Sequence, residues 1–177
     1  MLDRLAQLQE EIQHASAVHI DSQWLNYSGV QEYYSEELVI SVKAGTPIAE
    51  INNTLKKNNQ ILPFYVEDGQ QSIGAAYANG AQDLSDSVLG VQIIDGAGDL
   101  LNFGGQVMKN VAGYDVSRML VGSQGLLAVI TQISFKVMPS SYVGDLKPSI
   151  KTNESSPLRQ SVEERLKAVF DPRGIFK

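Results

Sequence analysis

The spacing of apolar residues along the chain predicts an α+β protein in which helices flank a sheet. Leucine and isoleucine recur every three or four positions over residues 2–12, which predicts an amphipathic helix. A turn with two glycines at 95–99 predicts a hairpin. Apolar runs predict strands at 17–21, 38–42, 60–66 (interrupted by Pro63), 88–94, 100–103 and 127–137.

Three further helices are predicted from their start signals. Thr46 followed by Pro47 is typical of a capped helix start, with Pro47 in the first helical position. Asp115 is predicted to cap a short helix, and residues 157–170 form a last amphipathic helix that the sequence DPRG ends.

A change of composition after Pro139 divides the chain. Residues 140–156 are rich in Ser, Pro, Lys and Asn, which is typical of a linker. We therefore predict a domain at 1–139, a linker at 140–156 and a C-terminal helix at 157–177. The length of 177 residues, of which 43% are hydrophobic, suits one domain with a small appendage.

Charge and residue usage exclude several functions. The net charge is −6 and Lys and Arg form no cluster, so a nucleic-acid partner is not expected. The absence of Cys, with His14 and His19 as the two histidines, excludes thiolate chemistry, an iron–sulfur centre and a His-rich metal site. A Ser-His-Asp triad is not expected either. The sequence contains neither a signal peptide nor a membrane span, which predicts a cytoplasmic protein.

The positions of the glycines allow two interpretations. Small residues fill 69–81, where they either let the backbone approach a bulky ligand or let a helix turn pack tightly on the sheet. A second set of glycines lies at 104, 105, 113, 122 and 125, where either two reverse turns or a binding loop is possible and the residues alone favour the turns. Between these glycines, we interpret Lys109 and Arg118 as surface charges or as partners of Asp115. Neither set matches a Walker loop or a Rossmann fingerprint.

Four segments together resemble a known family. The segments 39–46 (VISVKAGT), 69–80 (GQQSIGAAYANG), 88–94 (VLGVQII) and 103–131 occur in the order seen in the PCMH-type FAD-binding fold of the vanillyl-alcohol oxidase superfamily. The run FGGQVMKNVAGYDVSRMLVGS is especially similar to the FAD-binding E subunits of glycolate oxidases, and so is the closing FDPRGIF. The resemblance implies a mixed sheet with flanking helices.

The resemblance also implies a cofactor and its site. FAD is the expected cofactor, and no metal is expected. Lys109 and Tyr114 lie in a loop of the E-subunit pattern, and no role for them or for any catalytic residue follows. The residues implied to bind the cofactor are Ser72, Ile73, Gly74, Asn79, Gly122, Gly125, Val129 and Ile130.

The function that the resemblance implies is that of an FAD-binding subunit. Such a subunit takes part in the flavin-dependent oxidation of a 2-hydroxy acid, for example glycolate, within a complex. The expected partners are a second flavoprotein subunit and an iron–sulfur subunit.

Three departures from the family pattern support an alternative function. The glycine-rich loop that holds the FAD pyrophosphate is expected before residue 18, where the chain has only Ala-Ser-Ala at 15–17. Ala75 and Ala128 replace usual glycines, and no cap or substrate domain follows the last strand. The alternative is a non-catalytic structural or assembly subunit that has lost tight FAD binding. A small-molecule binding module unrelated to flavin is a third hypothesis.

Overall fold

The structure is a computed structural model that describes residues 3–106, 115–146 and 157–177. Lys109, Tyr114 and residues 147–156 of the predicted linker lie outside the described residues. The elements, in chain order, are α1 (Arg4–His14), α2 (Ser22–Leu25), β1 (Val30–Tyr34), β2 (Val39–Lys43), α3 (Ile48–Lys56), β3 (Gln60–Ile61), α4 (Ile73–Ala78), β4 (Val88–Ile94), β5 (Leu100–Gly104), α5 (Val116–Met119), β6 (Val129–Lys136), β7 (Met138–Pro139) and α6 (Pro157–Phe170).

A five-stranded sheet in the order β1-β2-β6-β4-β5 forms the centre of the fold. Its strands pair antiparallel, and β3 and β7 form a separate antiparallel pair. A single parallel bridge joins Val18 to Phe176. Flanking helices bury Leu8 and Ile12 of α1 and Ile51 of α3 in the same core. The predicted α+β class, with a sheet flanked by helices, is therefore confirmed.

The connection after β7 is short. Residues 140–156 separate β7 from α6, and a stretch of this length is too short to form a cap domain.

Three local predictions were wrong, each for a physical reason. The predicted strand at 17–21 is reduced to the bridge at Val18, because one residue of the C-terminal segment is its partner. The strand predicted at 60–66 ends at Ile61, before Pro63, which has no N–H to donate. Thr46 does not cap α3; its buried hydroxyl donates to Lys43 O and accepts from Gly29 N, and Pro47 is the N-cap.

Antiparallel backbone pairing joins residues 44–49 to residues 69–74. Ile48 N donates to Gln71 O and Ala49 N to Gly69 O, while Ile73 N and Gly74 N donate back to Thr46 O and Ala44 O. We call this pair of stretches, together with the four hydrogen bonds between them, the 44–49/69–74 zip. Since the N–H groups at the start of a helix have no partner within it, the zip satisfies the first N–H groups of both α3 and α4.

The C-terminal segment after α6 is held by a buried carboxylate. Asp171 accepts hydrogen bonds from Ile175 N, Phe176 N and Lys167 Nζ. Arg173 extends from the same segment and donates to carbonyl oxygens of residues 12, 15 and 96. Residues 171–177 therefore connect α1 to the β4–β5 turn, in addition to following α6 as predicted.

The contacts of Asp171 also set its ionisation. Burial alone raises the pKa of this carboxyl, but the hydrogen bonds from Ile175 N, Lys167 Nζ and Phe176 N and the charge of Lys167 outweigh burial and lower it. A lowered pKa stabilises the fold at pH values above the unfolded-state pKa of about 3.9, and this stabilisation is lost as pH falls through the folded-state pKa.

We predict that Asp171→Asn lowers the free energy of unfolding by about 2–3 kcal/mol at pH 7. The substitution replaces charge-assisted hydrogen bonds by neutral ones at a buried position. Urea unfolding at pH 7 measures the loss, and repeating it towards pH 3 should shrink the difference from the parent protein. Glu164→Gln, at an exposed position of α6, is the control. Equal losses for both variants would contradict the assignment.

Candidate functional site

A cleft of about 340 Å³ opens between α2, α4 and the start of β6. Its volume lies within the range of about 300–1,000 Å³ that is usual for small-molecule sites. The lining is mostly apolar, with two amides, two hydroxyls and one carboxylate among its polar groups. The lining residues are Ile20, Asp21, Ser22, Leu25, Ala44, Ser72, Gly74, Ala75, Ala78, Asn79, Gln124, Gly125, Ala128 and Ile130.

The α4 wall of this cleft depends on a glycine at position 74. A Cβ atom there would lie 2.8 Å from Ala44 Cβ and 2.9 Å from Ala44 O, which is closer than van der Waals contact allows. Ser72 starts the helix, since its hydroxyl accepts a hydrogen bond from Ala75 N. Gly74 is therefore explained by packing within the protein, as the second interpretation of this segment proposed.

The opposite wall is a turn at residues 122–125 that packs against the end of α4. Gly122 N donates to Tyr77 O and Gln124 N to Ala78 O. A Cβ atom at Gly80 would lie 3.2 Å from Gly122 Cα, and both glycines have positive φ, at 71° and 82°. The tight space favours glycine at position 80, and the positive φ favours glycine at both positions.

Tyr77 connects α4 to α5 beneath the cleft. Its buried hydroxyl donates to Ser117 O. Burial, reinforced by the charge of Asp115, raises the pKa of Tyr77, so the phenol stays protonated and remains a donor. Asp115 caps α5 as predicted by accepting from Arg118 N. It also forms an ion pair with Arg118 at 3.1 Å, so of the two interpretations of that arginine the structure shows the pairing with Asp115.

Five of the eight residues implied to bind FAD line the cleft: Ser72, Gly74, Asn79, Gly125 and Ile130. Gly122 lies behind it, against Gly80. Ile73 and Val129 belong to the fully buried core. The structure thus gathers the five around one space, and contact of any of the eight with FAD stays a prediction.

The contribution of α2 to the cleft was not predicted from the sequence. Ile20, Asp21, Ser22 and Leu25 form one side of the cleft, where the sequence predicted a strand at 17–21 and left residues 24–34 unassigned. The sequence does contain a signal for the start of α2, namely Asp21, three residues before Trp24. In the structure, Oδ1 of Asp21 accepts a hydrogen bond from Trp24 N at 2.7 Å. An Asp in this position is typical of a helix N-cap.

The charge of the cleft is unusual for a nucleotide site. Its charged lining residue is Asp21, and no Lys, Arg or His lines it among the residues that the structure describes. Backbone donors nearby are already used: those of Ile73 and Gly74 in the 44–49/69–74 zip, and that of Ala75 by the Ser72 hydroxyl. The apolar walls and the amides of Asn79 and Gln124 fit a flat aromatic ring, whereas these polar groups do not fit a doubly charged pyrophosphate.

Two other kinds of site are absent from the described part of the chain. No group of three or more His, Asp or Glu side chains there is arranged to hold a metal ion. No helix there combines the length and the hydrophobicity needed to cross a bilayer.

Comparison with known proteins identifies relatives of this chain. A model of the FAD binding domain family matches residues 7–104. The chain is 45% identical to glycolate oxidase subunit GlcE of Escherichia coli (strain K12) over 123 residues, which cover 64% of this chain and 35% of that protein. It is 24% identical to D-2-hydroxyglutarate dehydrogenase of Xanthomonas citri pv. viticola over 115 residues, or 60% of this chain and 24% of that protein.

A shorter match and a solved structure agree with these relatives. Glycolate oxidase subunit GlcD of Bacillus subtilis is 41% identical over 54 residues, which cover 30% of this chain and 12% of that protein. The structure of alkyldihydroxyacetonephosphate synthase superposes with a TM-score of 0.61 at 14% identity, over 76% of this chain and 30% of that one, which shows a shared fold. The chain spans about a third of these proteins' length at most.

We predict that Gly74→Ala lowers the free energy of unfolding by about 1–2 kcal/mol, because overpacking against Ala44 exceeds the roughly 1 kcal/mol that alanine gains over glycine in a helix. Thermal and urea unfolding measure the change. In the control Gly69→Ala, the new Cβ atom lies an ordinary 3.6 Å from Ala49 Cβ, so stability changes by less than about 0.5 kcal/mol. A stable Gly74→Ala protein would show that the glycine serves something other than packing.

Proposed function

Because this chain belongs to the FAD binding domain family, we propose that it is an FAD-binding subunit that takes part in the flavin-dependent oxidation of a 2-hydroxy acid within a larger assembly. The cleft between α2, α4 and β6 supports this proposal. It is lined by five residues that the family resemblance assigns to the cofactor, and it has the volume and apolar walls of a ring-binding site.

The chain's own residues hold and orient the cofactor in this proposal. Ile20, Leu25 and Ile130 pack against a flat ring and exclude water from its faces. The amides of Asn79 and Gln124 each supply a donor and an acceptor for the polar edge of the ring. Flavin, when bound, supplies the two-electron oxidation that converts a 2-hydroxy acid to a 2-oxo acid.

The substrate class rests on the names of the relatives. Glycolate and D-2-hydroxyglutarate, which name two of them, are both 2-hydroxy acids. The cleft lining contains no His, Lys or Arg within the described residues, so it offers no cationic side chain to bind a substrate carboxylate, and its one carboxylate able to accept a proton, Asp21, would repel that group. We therefore assign those tasks to partners, namely a second flavoprotein subunit and an iron–sulfur subunit, in a cytoplasmic assembly.

We predict that FAD raises the melting temperature of the purified chain in a saturable way. At a concentration about a hundredfold above Kd, the stabilisation is about 2.7 kcal/mol, or roughly 5–10 °C for a chain of this size. Ala75→Leu, which places a larger side chain in the cleft, should abolish the shift, while Ala168→Leu on the exposed face of α6 should keep it. A melting temperature that FAD leaves unchanged would contradict the proposal.

A second candidate function, that of a non-catalytic assembly subunit, is favoured by the polar groups of the cleft. The carboxylate of Asp21 and the backbone donors already used in the 44–49/69–74 zip disfavour the pyrophosphate of FAD. Ala75 and Ala128, which replace the family's usual glycines, both line the cleft and reduce its space.

Flavin content separates the two functions. We predict that the chain, co-expressed with a second FAD-binding subunit and an iron–sulfur subunit, co-purifies with them and that the assembly contains one FAD for each of the two flavin domains. Absorbance of the released flavin against protein concentration measures the ratio. A single FAD per assembly would support the non-catalytic function, and failure to co-purify would contradict both functions.

A further inference from the structure

Asp21 is the charged residue in the lining of the cleft. Asp21 is an exposed residue at the N-terminal end of α2 and lines the cleft together with Ser72 and Ala75 of the α4 wall. Its Oδ1 accepts a hydrogen bond from Trp24 N, and its carbonyl oxygen accepts one from Leu25 N. The protein's own aspartate therefore accepts from Trp24 N at the start of this helical turn, and its negatively charged carboxylate lies beside the cleft.

The remaining walls do not compensate that charge. On the α4 side, the N–H groups of Ile73, Gly74 and Ala75 donate to Thr46 O, Ala44 O and Ser72 Oγ. On the turn side, Gly122 N and Gln124 N donate to Tyr77 O and Ala78 O. A phosphate placed in this cleft would meet a negative charge, with no cationic lining residue in the described chain and with these N–H donors already in use.

We propose that Asp21 determines the ligand specificity of this cleft by favouring an uncharged nucleoside-type ring over the same ring carrying a diphosphate. The inference rests on the proposed function, since it takes the cleft to be the place where the ring of the cofactor binds. Adenine suits the lining, because Asn and Gln amides pair with the donor and acceptor edge of that base. Asp21 thus weakens the binding of FAD through its phosphates and leaves its ring contacts intact.

Adenosine and ADP are the matched probes, since they differ in the diphosphate alone. Calorimetry on the full chain at low ionic strength should show that adenosine binds at least as tightly as ADP. Asp21→Asn should tighten the binding of ADP and FAD about tenfold and change the binding of adenosine less than about twofold. Glu37→Gln, which removes an exposed charge in the turn between β1 and β2, should change neither.

Ionic strength gives an independent readout. Repulsion between Asp21 and a phosphate is screened as salt rises from about 0.01 M to 0.15 M, where the Debye length falls from about 30 Å to 8 Å. The parent protein should therefore bind ADP more tightly at the higher salt, and Asp21→Asn should show a weaker dependence, because the rest of the negatively charged chain still repels the phosphates.

The outcomes separate the inference from the proposed function. If FAD and ADP bind the parent tightly and Asp21→Asn changes nothing, the inference is overturned and the flavin-binding function stands. If adenosine, ADP and FAD all fail to bind every variant, both are overturned, because the cleft is then no ring site. Selective tightening of the phosphate-bearing ligands in Asp21→Asn alone supports the inference.

Discussion

The close approach of two backbone stretches determines the geometry of the candidate site. In the 44–49/69–74 zip, four backbone hydrogen bonds hold the start of α3 against the start of α4. Gly74 permits this approach, because a Cβ atom there would collide with Ala44. The end of α4 meets the 122–125 turn in a similar way through Gly80 and Gly122. These contacts give the cleft two walls made mainly of backbone and small side chains.

The same contacts limit what the cleft can bind. Backbone N–H groups at helix starts often bind phosphate, but the zip uses those of α3 and α4 within the protein. Asp21 then adds a negative charge beside the walls. The result is a cleft that retains the apolar surface and the amides suited to a ring, without the polar groups suited to a pyrophosphate. Membership of the family therefore indicates that the ring of the cofactor binds, whereas the departures from the family pattern indicate that its pyrophosphate binds weakly.

Much of the fold follows from local patterns in the sequence. Strands β2, β4, β5 and β6 were predicted because they are continuous apolar runs, and α1 because its leucines follow a helical period. The short helix α2 was missed because four residues carry too little periodicity to reveal it. The predicted strand at 17–21 failed because its single pairing is with Phe176, far along the chain, and no local pattern encodes such a contact. Asp171 and Arg173 were interpreted only as a helix end, although their hydrogen bonds join distant segments.

The candidate site was predictable in part. The small residues at 69–81 marked one wall, and a resemblance to flavoproteins selected five residues that the structure gathers around the cleft. Ile73 and Val129 were selected with them because they belong to the same sequence motifs. Neighbouring side chains of a strand or a helix point in different directions, and these two are buried in the core. The charge of the cleft depends on Asp21, whose position near α4 and β6 emerges only from the tertiary fold.

Chemical-shift mapping of backbone amides during an FAD titration tests whether FAD binds in the cleft between α2, α4 and β6. We expect the largest shifts at Ser22, Ser72, Asn79 and Gly125, which surround the cleft. Large shifts confined to the separate groove near Asn52, Gln60 and Tyr65, or no shifts at all, would contradict binding in the cleft.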